Sequence, residues 1–317
     1  MYDVLIIGLG CAGYTAAIYT ARYKLKTYLI GAEEGGMGSA AAEVGNWPGN
    51  IEIKGPDLME NFKKHALSFG DLVTYKISWV KDITPIPSQG FHLTLNSGET
   101  VEGKAIIFAT GSVKRKLGVP GEKEFSGKGV TYCATCDAFF YKGKDVAVIG
   151  GGDSAVEGAA IAAQVAKTVY LIHRRKDFRA EPYWLDRMKS RSNITFVLER
   201  NVVEVLGDQK VKAVKFDKPF EGSETLSLDG VFIEIGSDPA VDLPKKLGCT
   251  LDPIGFVKVD DAQQTSVPGV FAAGDLTSAS NHFAQFATAA GEATVAANSV
   301  FNYLQTRMGG GGLTRGI

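Results

Sequence analysis

The chain has 317 residues with an apolar share of 45%, which is ordinary for a soluble enzyme and leaves room for two globular domains. Its 34 Lys and Arg residues nearly balance 35 Asp and Glu residues, so no overall field favours nucleic acid or an anionic membrane as a partner. The opening segment MYDVLIIGLG has no basic flank and no long apolar run, which predicts a cytoplasmic protein without a signal peptide or a membrane span.

The amino-terminal part of the chain begins with a βαβ pattern. An apolar run at residues 4–7 predicts a strand, the alanine-rich residues 12–23 predict a helix, and residues 27–30 predict a second strand. Residues 90–103 alternate as in an antiparallel hairpin, and residues 105–108 read as a buried strand.

A glycine-rich turn joins this first strand to the first helix. Gly8, Gly10 and Gly13 match the dinucleotide fingerprint, in which glycines make the turn and let a pyrophosphate approach the positive end of the helix. A glycine turn with tight helix packing is the alternative, but the correct spacing from the strand favours a nucleotide. An acid that holds the adenosine ribose is expected about 20 residues later, where Glu33 and Glu34 stand.

The βαβ pattern recurs in the middle of the chain. Residues 145–149 predict a strand, residues 150–165 a glycine-rich turn with a helix, and residues 168–172 the next strand. A β insertion follows at about residues 202–228. Two nucleotide-binding units therefore share one chain.

The second turn favours NADP over NAD. Its residues predicted to bind the nucleotide are Gly150, Gly152, Asp153, Ser154 and Ala155, with alanine as an allowed variant in the third position. The strand that follows ends in basic residues, which are His173, Arg174, Arg175 and Arg179. Guanidinium groups pair with a phosphate, whereas a ribose hydroxyl would require a carboxylate. A basic surface run is the alternative interpretation.

The last part of the chain returns to the first unit. Residues 270–273 predict a strand that ends at Gly274-Asp275, a carboxylate in position for a second phosphate or for ribityl hydroxyls, and residues 284–304 predict a final amphipathic helix. The predicted fold class is α/β, with two Rossmann-like nucleotide-binding domains of the three-layer ββα type, the second inserted into the first. The predicted domains are residues 1–112 with 241–308, residues 113–240, and a flexible glycine-rich tail at 309–317.

A CxxC pair lies just before the second fingerprint. At the start of a helix, the local field lowers the pKa of one thiol of such a pair, and Cys133 and Cys136 are thus candidates for disulfide exchange, with Asp137 as a proton relay. Half a zinc site and a pair of structural thiols are the alternatives, but there is no second CxxC and the four histidines are scattered, so no metal is expected. Cys11 and Cys249 are interpreted as small packing residues.

With these motifs together, the chain resembles the low-molecular-weight thioredoxin reductases over residues 1–305. The matching motifs are Gly8-x-Gly10-x-x-Gly13, Asn46-Trp47-Pro48-Gly49, Ala109-Thr110-Gly111, Cys133-Ala-Thr-Cys136-Asp137, Gly150-x-Gly152-x-x-Ala155, His173-Arg-Arg-x-x-x-Arg179 and Thr265-Ser-Val-Pro-Gly-Val-Phe-Ala-Ala-Gly-Asp275. The resemblance implies a homodimer that reduces thioredoxin or a similar dithiol protein, with FAD in the discontinuous domain and NADPH in the inserted one.

The resemblance also implies site residues and a mechanism. The residues implied to bind FAD are Gly8, Gly10, Gly13, Glu33, Glu34, Gly36, Met37, Asn46, Thr110, Gly111, Gly274, Asp275, Gln285 and Phe286. The inserted domain is expected to rotate between a state for NADPH oxidation and a state for disulfide reduction, with links near residues 111–121 and 236–239. Cys136 is expected to be the sulfur on the flavin side, and Cys133 the one that attacks the protein substrate.

Two departures from the family pattern leave other functions open. Met37 stands where glutamine is usual, and Ala284-Gln285-Phe286 replaces Arg-Gln-Ala after a longer loop at residues 277–283. The main alternative is an enzyme of the same fold with another redox partner: ferredoxin, a second flavin in the NADPH site, or electron flow from dithiol to flavin. A non-catalytic nucleotide-binding or sensor module is the third hypothesis.

Overall fold

The computed structural model describes residues 1–307, so the predicted tail at 309–317 lies outside the described residues. The chain forms two compact units. The first unit contains Met1–Val113 and the chain from Pro239 onward, and the second contains Lys114–Asp238. No helix in the described part of the chain is both long enough and apolar enough to cross a membrane.

The first unit is built around a seven-stranded sheet. Its elements before the first chain crossing are β1 (Tyr2–Ile7), α1 (Cys11–Arg22), β2 (Thr27–Gly31), α2 (Gly55–Leu67), β3 (Val73–Ile77), β4 (Val80–Ile86), β5 (Gly90–Leu95) and β6 (Thr100–Phe108). Short 3-10 turns cover Gly36–Ala40 and Gly70–Leu72. The strand order is β3-β2-β1-β6-β5-β4.

The second unit is a three-layer sandwich. Its elements, with the crossing strands at each end, are β7 (Ser112–Lys114), β8 (Val130–Thr131), α3 (Ala134–Asp137), β9 (Asp145–Ile149), α4 (Asp153–Ala162), β10 (Thr168–His173), α5 (Pro182–Lys189), β11 (Ile194–Leu198), β12 (Val202–Gly207), β13 (Val211–Phe220), β14 (Ser223–Ser227), β15 (Gly230–Ile233) and β16 (Ser237–Pro239). The five-stranded parallel sheet has the order β11-β10-β9-β15-β8, and β12, β13 and β14 form an antiparallel sheet. Strands β7 and β16, where the chain crosses between units, pair with each other.

The chain then returns to the first unit. The elements of this part are α6 (Asp242–Lys246), β17 (Val270–Ala272) and α7 (Phe286–Arg307), with a 3-10 turn at Ala279–His282 between the last two. Strand β17 adds to the first sheet by parallel pairing with β6. The predicted α/β class with the second domain inserted into the first is confirmed.

Strand β6 unites two segments that the sequence pattern separates. Its first half, Thr100–Gly103, pairs antiparallel with β5, and its second half, Ile106–Phe108, pairs parallel with β17. The predicted hairpin and the predicted buried strand are therefore one continuous strand. Parallel pairing of β1, β6 and β17 brings their carboxyl ends to one edge of the sheet. The first fingerprint, which follows β1, and Gly274-Asp275, which follows β17, therefore lie at the same edge.

Helix α1 packs against α7 on one face of this sheet. Ala16 and Ala17 of α1 and Ala293, Ala296 and Ala297 of α7 have no exposed surface. Because alanine has a short side chain and a high helix propensity, these stretches form helices that approach closely. Ten of the twelve residues of α1 are buried, which fixes the position of its amino-terminal end.

In the second unit, the two faces of the parallel sheet have different covers. On one face, Val148 and Phe232 pack with residues of α4 such as Ala159. On the other face, Ile149 packs with residues of the antiparallel sheet such as Val214. This layering explains why β9, β10 and β15 are apolar on both faces.

Candidate active site

The first fingerprint loop leaves an open approach to the amino-terminal end of α1. Gly8 has a φ of 134°, and a Cβ at this position would lie 1.9 Å from the carbonyl oxygen of Ala109. At Gly10, by contrast, the nearest atom would be 3.9 Å away, the carbonyl oxygen of Gly35. No side chain of the described residues caps the helix. The free amides of the first turn and this open space fit an anionic pyrophosphate.

The second fingerprint loop repeats this arrangement in the inserted unit. Gly150 has a φ of 150°, and a Cβ there would lie 2.1 Å from the carbonyl oxygen of Glu234. Around Gly152, no atom of the described residues lies within 4 Å of such a Cβ. Helix α4 begins after Gly152 without a side-chain cap, and Ala155 is fully buried beneath the loop. This loop also fits a nucleotide pyrophosphate.

The two acids that follow β2 have different environments. Glu34 accepts hydrogen bonds from Lys63 at 2.7 Å and from Tyr75 at 2.5 Å, and the Lys63 bond holds the pKa of Glu34 below its ordinary value. Glu33 is exposed. Because the carboxylate of Glu34 is already paired, Glu33 is the better candidate for a ribose contact, and this assignment stays a prediction.

The residues predicted to border the flavin are brought together in part. Asn46 donates a hydrogen bond to Gln285 at 2.9 Å, which connects the Asn-Trp-Pro-Gly loop with the start of α7. The Phe286 ring packs beside Gly38, whereas Met37 is 40% exposed. Of the two departures from the family pattern, Met37 therefore lies in the 3-10 turn Gly36–Ala40 and Phe286 packs against that turn.

The Thr110-Gly111 pair contacts the point where the chain re-enters the first unit. The Thr110 hydroxyl donates to the carbonyl oxygen of Ala240 at 2.8 Å, and the Ala240 amide donates to the carbonyl oxygen of Gly111 at 2.9 Å. Gly36 has a φ of 52°, and a Cβ added at this position would lie 3.6 Å from the Cα of Gly10. Gly36 thus lies beside the fingerprint, and the hydroxyl of Thr110 already donates to a backbone carbonyl oxygen.

Two carboxylates lie near the end of β17, of which Glu292 is buried and Asp275 is partly buried. Glu292 of α7 accepts hydrogen bonds from the Gly274 amide at 2.8 Å and from the Thr277 hydroxyl at 2.9 Å. Asp275 lies next to this cluster, and burial, with the nearby Glu292, raises the pKa of Asp275. The sequence analysis missed Glu292, although an acid in an alanine-rich buried helix is itself a signal.

The raised pKa of Asp275 gives a testable consequence. Replacing Asp275 with Asn is expected to stabilise the FAD-free protein at neutral pH by about 1 kcal/mol, because ionised Asp275 opposes folding. The free energy of unfolding should fall as the pH rises past the ordinary pKa of Asp and towards the raised pKa of Asp275, and the variant should lose this fall. Thermal unfolding measured from pH 3 to pH 8 checks the result, with Asp242→Asn as an exposed control. Equal unfolding curves for variant and parent would contradict it.

The basic residues of the inserted unit lie beside the second fingerprint. His173 ends β10 and is buried, with a ring that lies 2.2 Å from an added Cβ at Gly151. Burial lowers the pKa of His173, and the charges of Arg175, Arg179 and Arg174 lower it further. The Arg179 amide donates to the carbonyl oxygen of Gly151 at 2.8 Å. Three exposed guanidinium groups therefore lie near the fingerprint, which is an arrangement that suits a phosphate.

The CxxC pair lies at the same edge of the second sheet. Strand β8 runs parallel to β15, so its carboxyl end leads into Cys133, which is the N-cap of α3. Cys133 and Cys136 form a disulfide bond. Cys136 is exposed and Cys133 is half-buried. The expected helix start at the CxxC is therefore present, and its disulfide is open to exchange at the exposed sulfur.

Asp137 is held by a residue that the sequence analysis missed. The Thr131 hydroxyl donates a short hydrogen bond to the Asp137 carboxylate, and the same hydroxyl oxygen accepts from the Cys133 amide at 3.3 Å. Thr131 thus connects the proposed proton relay to the first residue of the CxxC. A threonine two residues before a CxxC is the only sequence signal for this contact.

Thr131 gives a second prediction. Replacing it with Val removes the hydroxyl at similar volume, and we expect disulfide reduction to slow about tenfold, because Asp137 loses its orientation. Replacing it with Ser keeps the hydroxyl and should restore most of the rate. Steady-state rates measured against pH check the result, since the Val variant should also change the pH profile. Equal rates and equal profiles for Val and Ser would contradict this role.

The two remaining cysteines lie in apolar surroundings. Burial raises the pKa of the Cys11 thiol to about 12 and also raises the pKa of Cys249. A thiol with a raised pKa is a poor nucleophile at neutral pH. In residues 1–307 no group of three or more His, Cys, Asp or Glu side chains is placed to hold a metal ion.

Comparisons with known proteins show the family of the chain. The family model for pyridine nucleotide-disulphide oxidoreductases matches residues 2–293. A thioredoxin reductase of Mycolicibacterium smegmatis is 42% identical over 302 residues, which are 93% of this chain and 94% of the relative. The crystal structure of Lactococcus lactis thioredoxin reductase (FR conformation) has a TM-score of 0.90 and 35% identity, and covers 96% of this chain and 100% of its own. The thioredoxin reductase of T. acidophilum has a TM-score of 0.87 and 37% identity, and covers 95% and 97%.

Two Rossmann-like folds, each with a dinucleotide fingerprint, and an accessible disulfide define a nucleotide-dependent disulfide oxidoreductase. The chain belongs to the pyridine nucleotide-disulphide oxidoreductase family, and its relatives within that family are the low-molecular-weight thioredoxin reductases. The sequence-based predictions of family, fold class and disulfide reductase activity are confirmed.

Proposed function

We propose that this protein reduces the disulfide of thioredoxin with electrons from NADPH, through FAD and the Cys133–Cys136 pair. The observation that carries the proposal is the position of the CxxC. It lies at the same sheet edge as the second fingerprint and the basic residues after β10. Relatives from Mycolicibacterium smegmatis, Listeria innocua and Lactococcus lactis are named thioredoxin reductases, which supports the same partner.

The residues fit two dinucleotides. In the first unit, the amides that follow Gly10 and the carboxylate of Asp275 would hold FAD. In the second unit, the amides that follow Gly152 would hold the pyrophosphate of NADPH, and Arg174 and Arg179 would pair with its 2'-phosphate. When bound, these cofactors supply hydride transfer from the nicotinamide to the flavin and an electron pair for the disulfide.

The chemistry of the chain's own residues follows from the disulfide. Two electrons break the Cys133–Cys136 bond, and the two sulfurs take up two protons, one of which Asp137 is placed to move. A thiolate of the pair then attacks the disulfide of the partner and forms a mixed disulfide. The second thiol resolves it, which releases the reduced partner and restores the Cys133–Cys136 bond. The roles of the two sulfurs, and the rotation of the inserted domain, stay predictions.

Two exposed aromatic side chains suit a docking surface for the protein substrate. Phe139 and Phe140 lie three and four residues after Cys136 and are 73% and 72% exposed. Exposed neighbouring phenylalanines are unusual on a protein surface without a partner, and aromatic residues contribute much of the binding energy at interfaces. We therefore propose that these two rings contact thioredoxin.

Replacing Phe139 and Phe140 with Ala should raise the KM for thioredoxin about tenfold, because the partner loses two aromatic contacts. Reduction of a small disulfide, 5,5'-dithiobis(2-nitrobenzoate), should be unchanged, since it needs no docking surface. Steady-state kinetics with the two substrates check the result, and Phe196→Ala, at a 41% exposed ring of β11, is the matched control. An equal loss with both substrates would contradict a docking role.

We also propose a cytoplasmic homodimer, as the sequence analysis expects. The comparisons do not favour the alternative redox partners, although one similar solved structure, at 31% identity, is named a ferredoxin-flavin thioredoxin reductase. A second flavin in the NADPH site remains an alternative that the FAD content of the purified protein decides.

The experiment that tests the proposed function is a coupled turnover assay. FAD-loaded protein is given NADPH and oxidised thioredoxin, and the appearance of thioredoxin thiols is followed. We expect one NADPH to be consumed for each thioredoxin disulfide reduced. Reduction with ferredoxin but not with NADPH, or two FAD molecules released per chain, would overturn the proposal.

A further inference from the structure

Glu234 is a buried carboxylate beside the CxxC helix. It follows β15, and its amide donates to the carbonyl oxygen of Ile149 at 2.8 Å, which places it at the carboxyl edge of the second sheet. Its side chain is 5% exposed. One carboxylate oxygen accepts a hydrogen bond from the amide of Ala134 at 3.1 Å. Ala134 is the first residue of α3 and lies between the two cysteines.

The second oxygen of this carboxylate is paired with a lysine. It lies 2.6 Å from the Nζ of Lys114, whose side chain is 22% exposed. Both residues and Ala134 belong to the second unit. The neighbouring ion pair Arg115–Asp238 differs, because its side chains are 50% and 55% exposed. Of these two adjacent pairs, the buried one contacts the CxxC helix.

A buried carboxylate at this position affects the dithiol in two ways. Its bond to the Ala134 amide fixes the first turn of α3, whose Cys136 amide donates to the Cys133 sulfur at 3.1 Å. Its negative charge also disfavours a nearby thiolate, while the positive charge of Lys114 opposes this effect. Asp137, which is hydrogen-bonded to Thr131, is the carboxylate of α3 itself. None of the variants at Glu234 and Lys114 changes Asp137.

We propose that Glu234 is a positioning residue that fixes the first turn of α3 and, balanced by Lys114, sets the reactivity and the reduction potential of the Cys133–Cys136 dithiol. This proposal rests on the proposed function, since it requires that the pair be redox-active. The packing of the site supports it. An added Cβ at Gly158 would lie 2.9 Å from the Ala134 Cβ and 3.8 Å from the Cγ of Glu234, so α3, α4 and Glu234 are in close contact.

The direction of each change follows from the charges. Glu234→Gln removes the negative charge, keeps an oxygen for the Ala134 amide and leaves Lys114 unbalanced, so thiolate and dithiol become more favourable. Lys114→Met leaves the carboxylate unbalanced and has the opposite effect. The double variant, with both charges removed, should lie between the two single variants.

The test is a redox titration of the FAD-loaded protein against mixtures of reduced and oxidised dithiothreitol. One dithiothreitol loses two electrons and two protons and closes its ring, while the Cys133–Cys136 bond breaks and each sulfur takes one proton. After acid quench, the thiols at Cys133 and Cys136 are alkylated and counted by mass spectrometry. The equilibrium constant for dithiol formation should rise about three- to tenfold in Glu234→Gln and fall by a similar factor in Lys114→Met.

A second readout separates this role from a structural one. The rate of Cys133 alkylation in the reduced protein is followed against pH, and its profile should move to lower pH in Glu234→Gln and to higher pH in Lys114→Met. The matched control is Arg115→Gln with Asp238→Asn, an exposed ion pair between the residue after Lys114 and a residue of β16, which should leave both readouts unchanged.

The outcomes are distinct. If the parent disulfide is reduced by dithiothreitol and both single variants, Glu234→Gln and Lys114→Met, match it, Glu234 has no influence and the inference is overturned. If both charge variants shift in the same direction, the effect is a loss of structure and the inference is also overturned. If the parent disulfide resists reduction over the whole range, the proposed function fails independently of Glu234.

Discussion

Replacing Cys136 or Cys133 with Ser will reduce the rate of thioredoxin reduction by about a thousandfold or more, because each turnover requires both sulfurs. A serine hydroxyl cannot form the disulfide that accepts the electron pair, so the variant has no dithiol to pass electrons to the partner. The disulfide is accessible at Cys136, so its chemistry does not depend on opening of the fold. The rate of thioredoxin thiol formation at saturating NADPH measures the effect.

The control for this prediction is Cys249→Ser. Cys249 is buried in the first unit, and its thiol contacts Thr265 at 3.6 Å, so the variant removes one sulfur without touching the CxxC. It should retain most of the activity. Bleaching of the flavin by NADPH should also remain in both CxxC variants. Full activity in either CxxC variant would support a non-catalytic nucleotide-binding module instead.

The second large effect is expected at the basic residues after β10. Replacing Arg174 and Arg179 together with Gln should raise the KM for NADPH about 10- to 100-fold, because two charge-assisted contacts with the 2'-phosphate are lost. The KM for NADH should not change, since that cofactor has no 2'-phosphate. Measured kcat/KM ratios for the two cofactors give the change in preference.

Lys189→Gln is a suitable control for this change in charge. Lys189 ends α5 in the same unit and is exposed, so the variant removes one positive charge away from the fingerprint. It should leave the preference for NADPH over NADH unaltered. An equal rise in KM for both cofactors in the arginine variant would show that these residues serve the fold, or a general attraction of anions, and not the phosphate.

The parts of the fold and of the site that the sequence predicted are those encoded by residues close together in the chain. The strand at Asp145–Ile149 was predicted at its exact limits, because an apolar run before a glycine turn has few alternatives. The fingerprint glycines and the CxxC were also predictable, since their chemistry needs neighbouring residues in a fixed order. The position of the CxxC at the same edge as the second fingerprint was not predictable, because it depends on pairing of β8 with β15.

Buried carboxylates show what the sequence could not provide. Glu122 accepts hydrogen bonds from the amides of Leu117 and Gly118 at 2.9 Å and 2.6 Å, and Glu234 and Glu292 have similar roles. In the sequence Glu122 and Glu234 resemble ordinary charged residues, and for Glu292 the alanine-rich helix around it is the one unusual feature. Their partners are often far along the chain, as for Glu234 and Ala134, so only the tertiary structure shows that they are buried and paired.

Anaerobic addition of one equivalent of NADPH to the purified FAD-loaded protein, followed by a thiol count, tests the central claim most directly. The account predicts oxidation of the NADPH and the appearance of thiols at Cys133 and Cys136, with Cys11 and Cys249 unchanged. An intact Cys133–Cys136 disulfide after NADPH has been consumed, or a flavin that does not respond to NADPH, would contradict it.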